Sequence, residues 1–422
     1  MFLALPHDRD EKEKRINPTA CKFTVLRQVC NLIPVHLVSK LAREHGSEDH
    51  ARTFSHWSHV VSLLFAQTSH SLGLNDVCDA LSLHSGPLSA VRGATPPSRN
   101  GLSHANKTRP AEIAEGLFWK VLDHLGNTHP AFIKGKSRAR LHRFKCAIHA
   151  MDSTVIELVA NCMDWAKHRR RKAAAKCHLR LNLQNLLPQC VIIDTAGEHD
   201  NVRARELCAP VKSGEVVIFD KGYLDFKHLK DLSERGVFWV SRAKENLVYD
   251  LLDRREPANK KILADEEIMT RGGVHCRRIV ALVEVDGKER EMVFLTNNFQ
   301  WSAQTVVDLY RCRWEIEVFF KQIKQTLQLA DFLGHSANAV RWQVWMALLV
   351  YVLLRFLAWQ SKWNHSLVRL FTLTRAVLWR KIDLAELLRG YGTAGGNFRF
   401  LGQPEQAYFA GLLRSCGTAH AN

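Results

Sequence analysis

No two cysteines in this chain form a Cys-x-x-Cys pair. The eleven cysteines are scattered through 422 residues, and the nearest metal-like spacing, His275-Cys276, has no second pair close by. A structural zinc site is therefore not expected. The thiols read as free, mostly buried groups of a reducing cytoplasm. A bilayer-spanning run of about 20 apolar residues is missing too. The longest apolar stretch, Val344 to Leu354, meets Arg355 before resuming over Phe356 to Trp359, and it reads as a buried core helix. No membrane partner is expected. Met1-Phe2-Leu3-Ala4-Leu5-Pro6 leads straight into the charged His7 to Lys12, so no signal peptide is expected either. There is no internal repeat. Acidic residues are in deficit: 42 Asp and Glu stand against 59 Lys and Arg, a formal charge of +17. That balance, with a pI near 9.5, calls for a polyanionic partner, nucleic acid first and an anionic membrane surface second. Charge alone names no enzyme.

The richest stretch present is Ser302 to Leu329, which reads as one helix. At about 100° per residue, Tyr310, Arg313, Glu317 and Lys324 fall within roughly 60° of one another. Leu309, Ile316, Phe319, Phe320, Ile323 and Leu327 make an apolar stripe beside them. A phenol, a guanidinium, a carboxylate and an ammonium along one edge suit a phosphate chain next to a metal-binding acid. On its own such an edge is more often a solvated shoulder of the helix.

Two distant aspartates add weight. Ala147-Ile148-His149-Ala150 runs into Met151-Asp152-Ser153-Thr154, a strand ending at Asp152. Val216 to Phe219 is a second apolar run, ending on Asp220 before Lys221-Gly222-Tyr223. Continuous apolar runs mark buried parallel-type strands. Open α/β sheets place their sites beyond the C-terminal ends of such strands. Two strand-end aspartates and a helix glutamate make an oxygen cage for divalent ions.

With these residues the chain resembles a DDE transposase of the RNase H-like class, from the bacterial insertion-sequence family with a Y-x2-R-x3-E-x6-K signature. Tyr310, Arg313, Glu317 and Lys324 fit that spacing. Met151-Asp152-Ser153-Thr154, Phe219-Asp220-Lys221-Gly222-Tyr223, Arg313 to Glu317 and the stretches around Trp165 and Lys176 are similar as well. The likeness runs from about Phe54 to about Leu384. It departs at Gln184 to Pro188, in place of a glycine turn, and at Lys221, in place of a common arginine. The resemblance implies cut-and-paste DNA transposition, with Mg²⁺ (or Mn²⁺) at Asp152, Asp220 and Glu317. It also implies that Tyr310, Arg313 and Lys324 grip the transposon end. Its expected partners are the terminal inverted repeats and target DNA, bound by a homodimer in a bacterial cytoplasm.

The expected organisation is α/β: a mixed RNase H-like sheet with helical flanks. Residues 1–15 are expected to be disordered. Residues 16–143 would form a helical region for DNA binding or dimerisation, punctuated by Ser85-Gly86-Pro87 and Thr95-Pro96-Pro97-Ser98. The catalytic domain would span 144–330, with a β-rich insertion at about 246–298 whose Asp286-Gly287 signals a hairpin. A helical region and tail would fill 331–422. Asp225 reads as an N-cap and Gly236 as a helix stop.

Several other residues compete for a role. Glu315 falls away from the Tyr310 edge, and Glu157 and Asp164 read as surface. Asp194 ends a strand but lacks the following glycine turn, so it ranks behind Asp220. His149 reads as a packed histidine, and His199-Asp200 as a capping pair or a water-orienting one. Arg169, Arg170 and Arg171, in the basic run 167–172, are assigned to DNA backbone contact. Trp314 suits base stacking or a core position equally. Two other readings compete: a nuclease that cuts without strand transfer, and an inactive transposase-derived DNA-binding protein.

Overall fold

The computed structural model describes residues 18–390, except 48–53, 72, 136–140, 142–143, 159–166, 169–171, 196–199, 258, 286 and 327–332. The expected disorder of residues 1–15, the basic trio Arg169 to Arg171 and the end of the C-terminal tail lie outside the described residues.

Among the described residues ten strands form one mixed sheet. They are β1 (Ile148–Leu158), β2 (Lys167–His168), β3 (Lys172–Asn182), β4 (Pro188–Thr195), β5 (Val216–Phe219), β6 (Phe238–Arg242), β7 (Tyr249–Arg255), β8 (Ile262–Thr270), β9 (His275–Val285) and β10 (Lys288–Thr296). β3 runs antiparallel to β1 and β4, while β1, β5 and β6 run parallel to one another. This is the mixed RNase H-like sheet expected from the sequence. The apolar run Val216 to Phe219 is buried throughout, as a central parallel strand requires.

The insertion adds an antiparallel meander, β7-β8-β9-β10, and β10 pairs back onto β6. The hairpin signal at Asp286-Gly287 falls between β9 and β10, with Gly287 at φ +72°, a conformation that favours glycine. Two strands of the meander, β7 and β8, are not legible as apolar runs. Their residues alternate with charges that pair across the sheet, such as Arg278 Nη1 to Glu266 Oε2 at 2.7 Å.

Fifteen helices surround the sheet among the described residues. Eight precede it: α1 (Val25–Cys30), α2 (Leu37–Glu44), α3 (His56–Ser69), α4 (Leu74–Leu83), α5 (Ser85–Ser89), α6 (Arg99–Thr108), α7 (Glu112–Thr128) and α8 (Pro130–Lys134). Two lie within it, α9 (Asp200–Cys208) and α10 (Phe226–Glu234). Five follow: α11 (Ala303–Arg311), α12 (Trp314–Thr326), α13 (Ala337–Gln360), α14 (Leu367–Ala376) and α15 (Leu384–Gly390). The predicted caps of α10 are present. Asp225 accepts from the His228 amide at 3.1 Å, and Gly236 turns the chain at φ +71°.

The two faces of the sheet have different covers. Met151, Val217, Phe219 and Trp239 pack with Leu207 and Leu229 of α9 and α10. Ile148, Ala150, Val216 and Ile218 join the larger core with α11, α12 and α13. α13 is the long apolar run, and it is the axis of that core rather than a surface element. Val344 to Leu354 are all buried. Trp342 is fully buried, with its indole donating to Arg109 O at 2.8 Å. Each buried aliphatic side chain of this kind contributes about 1.5–3 kcal/mol. Helices before and after the sheet thus share one interior.

Candidate active site

Strand register places the first two acids. Met151 of β1 is paired with Phe219 of β5 in parallel. Asp152 and Asp220 are the next residues on these adjacent strands, at the edge where the parallel pairing stops. Alternation turns both toward the face covered by α11 and α12. One expectation needs correction here. β1 does not end at Asp152; it continues to Leu158 because β3 keeps pairing with it antiparallel. Asp152 therefore sits on a backbone held on one side only.

The helix expectation also needs correction. Ser302 to Leu329 is not one helix. α11 ends at Arg311, and the chain tightens through Cys312 and Arg313 before α12 starts at Trp314. The Arg313 amide bonds Tyr310 O at 2.9 Å and the Ile316 amide bonds Arg313 O at 3.0 Å, three-residue spacings of the 3₁₀ kind. No proline or glycine marks this break, so helical periodicity passes straight over it. The break lets the two halves serve different strands. On α11, the Tyr310 hydroxyl donates to Asp220 Oδ1 at 3.0 Å. At the turn, Arg313 Nη1 donates to Asp152 Oδ2 at 3.2 Å and Nη2 to Glu317 Oε1 at 2.6 Å. On α12, Lys324 Nζ donates to Val155 O of β1 at 2.6 Å.

Electrostatics follow from this geometry. Burial pushes the Asp152 carboxyl up to about 6, and Glu317 and Asp220 push the same way, against the Ser153 amide and Arg313. Burial also raises the Tyr310 hydroxyl, with Asp220 adding to it. Burial works against the Arg313 charge, but Tyr310, Glu317 and Asp152 outweigh it and the guanidinium is held more firmly protonated than usual. Beside these groups a cleft of about 340 Å³ is lined by Asp152, Ser153, Thr154, Glu317, Phe320, Lys321 and Lys324.

Asp152, Asp220, Glu317, Tyr310 and Arg313 are thus gathered into one bonded group, with Lys324 at its far end. Other candidates go elsewhere. Asp194 pairs with Arg203 of α9, 3.0 Å from Nη2, on the outer strand β4. Glu315 does not line the cleft. Buried His149 lies 3.4 Å from Glu215, and burial holds it down to about 4, with Arg180 adding to the effect. That is the packed histidine of the sequence reading. Trp314 is half exposed, which removes the core position. Trp301 packs against Phe144 and Phe238. The side chains of Glu157, Asp164, His199, Asp200 and Arg169 to Arg171 lie outside the described residues. Sequence reasoning passed over Ser153, Thr154 and Lys321 as cleft residues. Lys321 was findable: it stands one turn after Glu317 at i+4.

Residues 147–353 match the Transposase DDE domain family, and residues 22–91 match a domain of unknown function, DUF4372. The chain is 30% identical over 230 residues to the probable transposase for insertion sequence element IS5377 of Geobacillus stearothermophilus, covering 52% of this chain and 59% of that relative. It is 26% identical over 322 residues to the putative transposase y4zB of Sinorhizobium fredii, covering 74% of this chain and 86% of that one. Among solved structures it is similar to a piggyBac transposase synaptic complex with hairpin DNA, at 8% identity and a TM-score of 0.45, over 86% of this chain and 82% of that chain. That likeness is too slight to argue from. The match thus spans about three fifths of the Geobacillus relative and most of the Sinorhizobium one. Residues 147–353 thus form a transposase DDE domain, and the chain is similar to named transposases of bacterial insertion sequences.

Proposed function

We propose that this chain carries out cut-and-paste transposition of an insertion sequence, cleaving DNA at the element's ends and joining the freed 3′-hydroxyl to target DNA. One observation carries the reading. Asp152 within β1, Asp220 just past β5 and a helix glutamate, spread over 165 positions of sequence, are drawn to one sheet edge by Arg313 and Tyr310.

Asp152, Asp220 and Glu317 would hold divalent ions, Mg²⁺ or Mn²⁺. The donor set suits them, since carboxylate oxygens are what hard ions prefer. The charge suits them as well. Two of the three carboxylates share one guanidinium, and the raised proton affinity of Asp152 reflects burial together with the negative charge of Glu317 and Asp220. Among the described residues no three acidic, histidine or cysteine groups already stand around an ion position. Arg313 is the counter-charge between Asp152 and Glu317. When bound, such ions supply Lewis-acid activation of an attacking oxygen and neutralise charge on a leaving one.

The chain's own residues set the stage for that chemistry. Tyr310 fixes the orientation of Asp220 through its hydroxyl. Arg313 holds Asp152 and Glu317 and offers a planar donor face suited to phosphate. Lys324 and Lys321 place two ammonium groups along the cleft for the DNA backbone. Arg169, Arg170 and Arg171 are proposed to add backbone contacts. The partners are the terminal inverted repeats and target DNA. Two ends must be brought together, so two copies of the chain are expected to act on them.

A strand-transfer assay tests this. The probe is a duplex taken from the DNA immediately flanking the coding sequence, with a supercoiled plasmid as target and Mg²⁺ or Mn²⁺ present. Cleavage and joining should both occur, and both should vanish in Asp152→Ala, Asp220→Ala and Glu317→Ala. Cleavage without joining would favour a simple nuclease. Undiminished joining by Asp152→Ala would retire the proposed site.

A further inference from the structure

The β-rich insertion carries a buried ion pair on the face of the sheet that α11 covers. Arg277 of β9 and Asp265 of β8 are 3% and 5% exposed. Arg277 Nε donates to Asp265 Oδ1 at 2.6 Å, and Nη2 donates to Asp265 Oδ2. Strand alternation puts Arg277, its register partner Thr296 and Phe294 on one face. Asp265 joins them through Ile279, which is paired with both Asp265 and Phe294. Phe294 packs on the Tyr310 ring from that face.

Such a pair is a poor source of stability. Desolvating two charges offsets most of their attraction, and well-packed apolar residues often serve a core as well or better. A further N–H group of the guanidinium has another use. Arg277 Nη1 donates to the carbonyl of Trp301. The next residue, Ser302, caps α11 by accepting from the Thr305 amide at 3.2 Å. Arg255, on the edge strand β7, repeats the device: it pairs with Glu267 and donates through Nη1 to Phe299 O at 2.5 Å. Two asparagines bind the rest of the segment. Asn298 Oδ1 accepts from the Gln300 and Trp301 amides, both at 2.9 Å. Asn297 reaches the start of β6, accepting from the Trp239 amide at 2.9 Å and donating to Val237 O at 2.8 Å. Residues 297–301 are thus fixed by polar bonds where the chain enters α11.

That entry acts on the site by leverage. Tyr310 stands eight residues beyond Ser302, about 12 Å along the helix axis. A tilt of about 5° at the entry displaces its hydroxyl by about 1 Å, and misplacement on that scale is costly to a reaction. The same displacement breaks the 3.0 Å bond from Tyr310 to Asp220. Apolar packing of Val306 and Leu309 presses α11 onto the sheet, but the hydrophobic effect has no direction. Hydrogen bonds have one, and those to residues 297–301 set the angle.

We infer that Arg277 and Arg255 are positioning residues for the cleavage reaction. From the insertion they fix the axis of α11, and through it they hold the Tyr310 hydroxyl on Asp220. The ion pairs with Asp265 and Glu267 keep each guanidinium aimed at its carbonyl, which is the reason for charges in a core that apolar side chains could fill. The inference deepens the transposase reading and rests on it.

The test is single-turnover cleavage by the full chain, with saturating protein, Mg²⁺ or Mn²⁺, and a duplex of the DNA immediately flanking the coding sequence. Binding of the same duplex is measured in chelator. Arg277→Met with Asp265→Leu removes both charges and strands neither, so thermal unfolding should match wild type or rise. Its cleavage rate should fall by about ten-fold or more, while its Kd for the duplex stays within about two-fold. In a Tyr310→Phe background the same two changes should lower the rate by less than about two-fold further, because the hydroxyl they serve is already gone. Arg255→Met, at a partly exposed site, should lose about three-fold with the same dependence on Tyr310, and it carries the test if the double variant does not fold. Arg254→Ala, exposed on β7, should stay within about two-fold of wild type. Three outcomes overturn this inference alone: a folded Arg277→Met, Asp265→Leu chain cleaving within two-fold of wild type, an equal loss with and without the Tyr310 hydroxyl, or a loss matched by the change in Kd. A wild-type chain that does not cleave the flanking duplex overturns it together with the transposase reading.

Discussion

Arg313 Nη1 lies 3.2 Å from Asp152 Oδ2, joining residues 161 positions apart. The same guanidinium holds Glu317 through its other terminal nitrogen at 2.6 Å. One cation thus spans a strand acid and a helix acid, and it does so only because the helix breaks at Cys312 and Arg313.

Removing that cation leaves two half-buried carboxylates facing each other. Arg313→Ala should lower stability without divalent ions by about 2 kcal/mol, the scale of charged hydrogen bonds lost inside a protein. Urea unfolding with and without Mg²⁺ checks it. Divalent ion should recover more stability in the variant than in wild type, because ligand that binds only the folded state stabilises it by mass action. Equal recovery in both would show that the guanidinium and the ion do not share the acids.

Tyr310 offers a cleaner separation of folding from chemistry. Its ring packs on Phe294, with centroids 5.1 Å apart, while its hydroxyl alone reaches Asp220. Tyr310→Phe keeps the ring, so unfolding free energy should fall by no more than about 1 kcal/mol. Cleavage of the flanking duplex should fall by about ten-fold or more, the range for a mispositioned group. Single-turnover cleavage measured beside urea melts decides between the two effects.

Buried histidines, His228 among them, set the acid limit of the fold. Burial, with the Arg109 charge adding to it, holds His59 down to about 3 and His56 to about 4, and burial with Arg180 holds His149 to about 4. These are depressed values for bases, so the unfolded chain binds the extra protons first. Stability should be constant above about pH 6.5 and fall as pH drops from there toward 4. Each histidine contributes at most about 1.4 kcal/mol per pH unit over that window. Denaturant melts across pH 4 to 8 measure the slope, and His59→Gln should make it shallower.

Trp342 links the helices on either side of the sheet. It is fully buried, packs at a tilt against His59 at a 4.5 Å centroid distance and donates to Arg109 O. Trp342→Ala should cost about 3–5 kcal/mol. Hydrogen exchange should show α3, α7 and the β1–β3 strands losing protection together, since one interior serves all of them.

Short-range pattern made much of this molecule legible. Continuous apolar runs marked β5 and the core helix α13, Asp225 and Gly236 bounded α10, and Asp286-Gly287 marked the β9–β10 hairpin. Each is a local signal, carried by residues within a turn or two of one another. The acids at 152, 220 and 317 and the spacing of Tyr310, Arg313 and Lys324 were likewise visible as residue types. β7 and β8 were not visible, because their charges find partners only across the sheet.

The sequence by itself determined the inventory: which strands are buried, which residues carry charge and which helix face is greasy. Tertiary structure alone decided who meets whom. The pairing of Met151 with Phe219 sets Asp152 beside Asp220. The turn at Cys312-Arg313 sends Tyr310 to one aspartate and Arg313 to the other. Both depend on contacts between segments far apart in the chain, and a helical or strand period describes only neighbours.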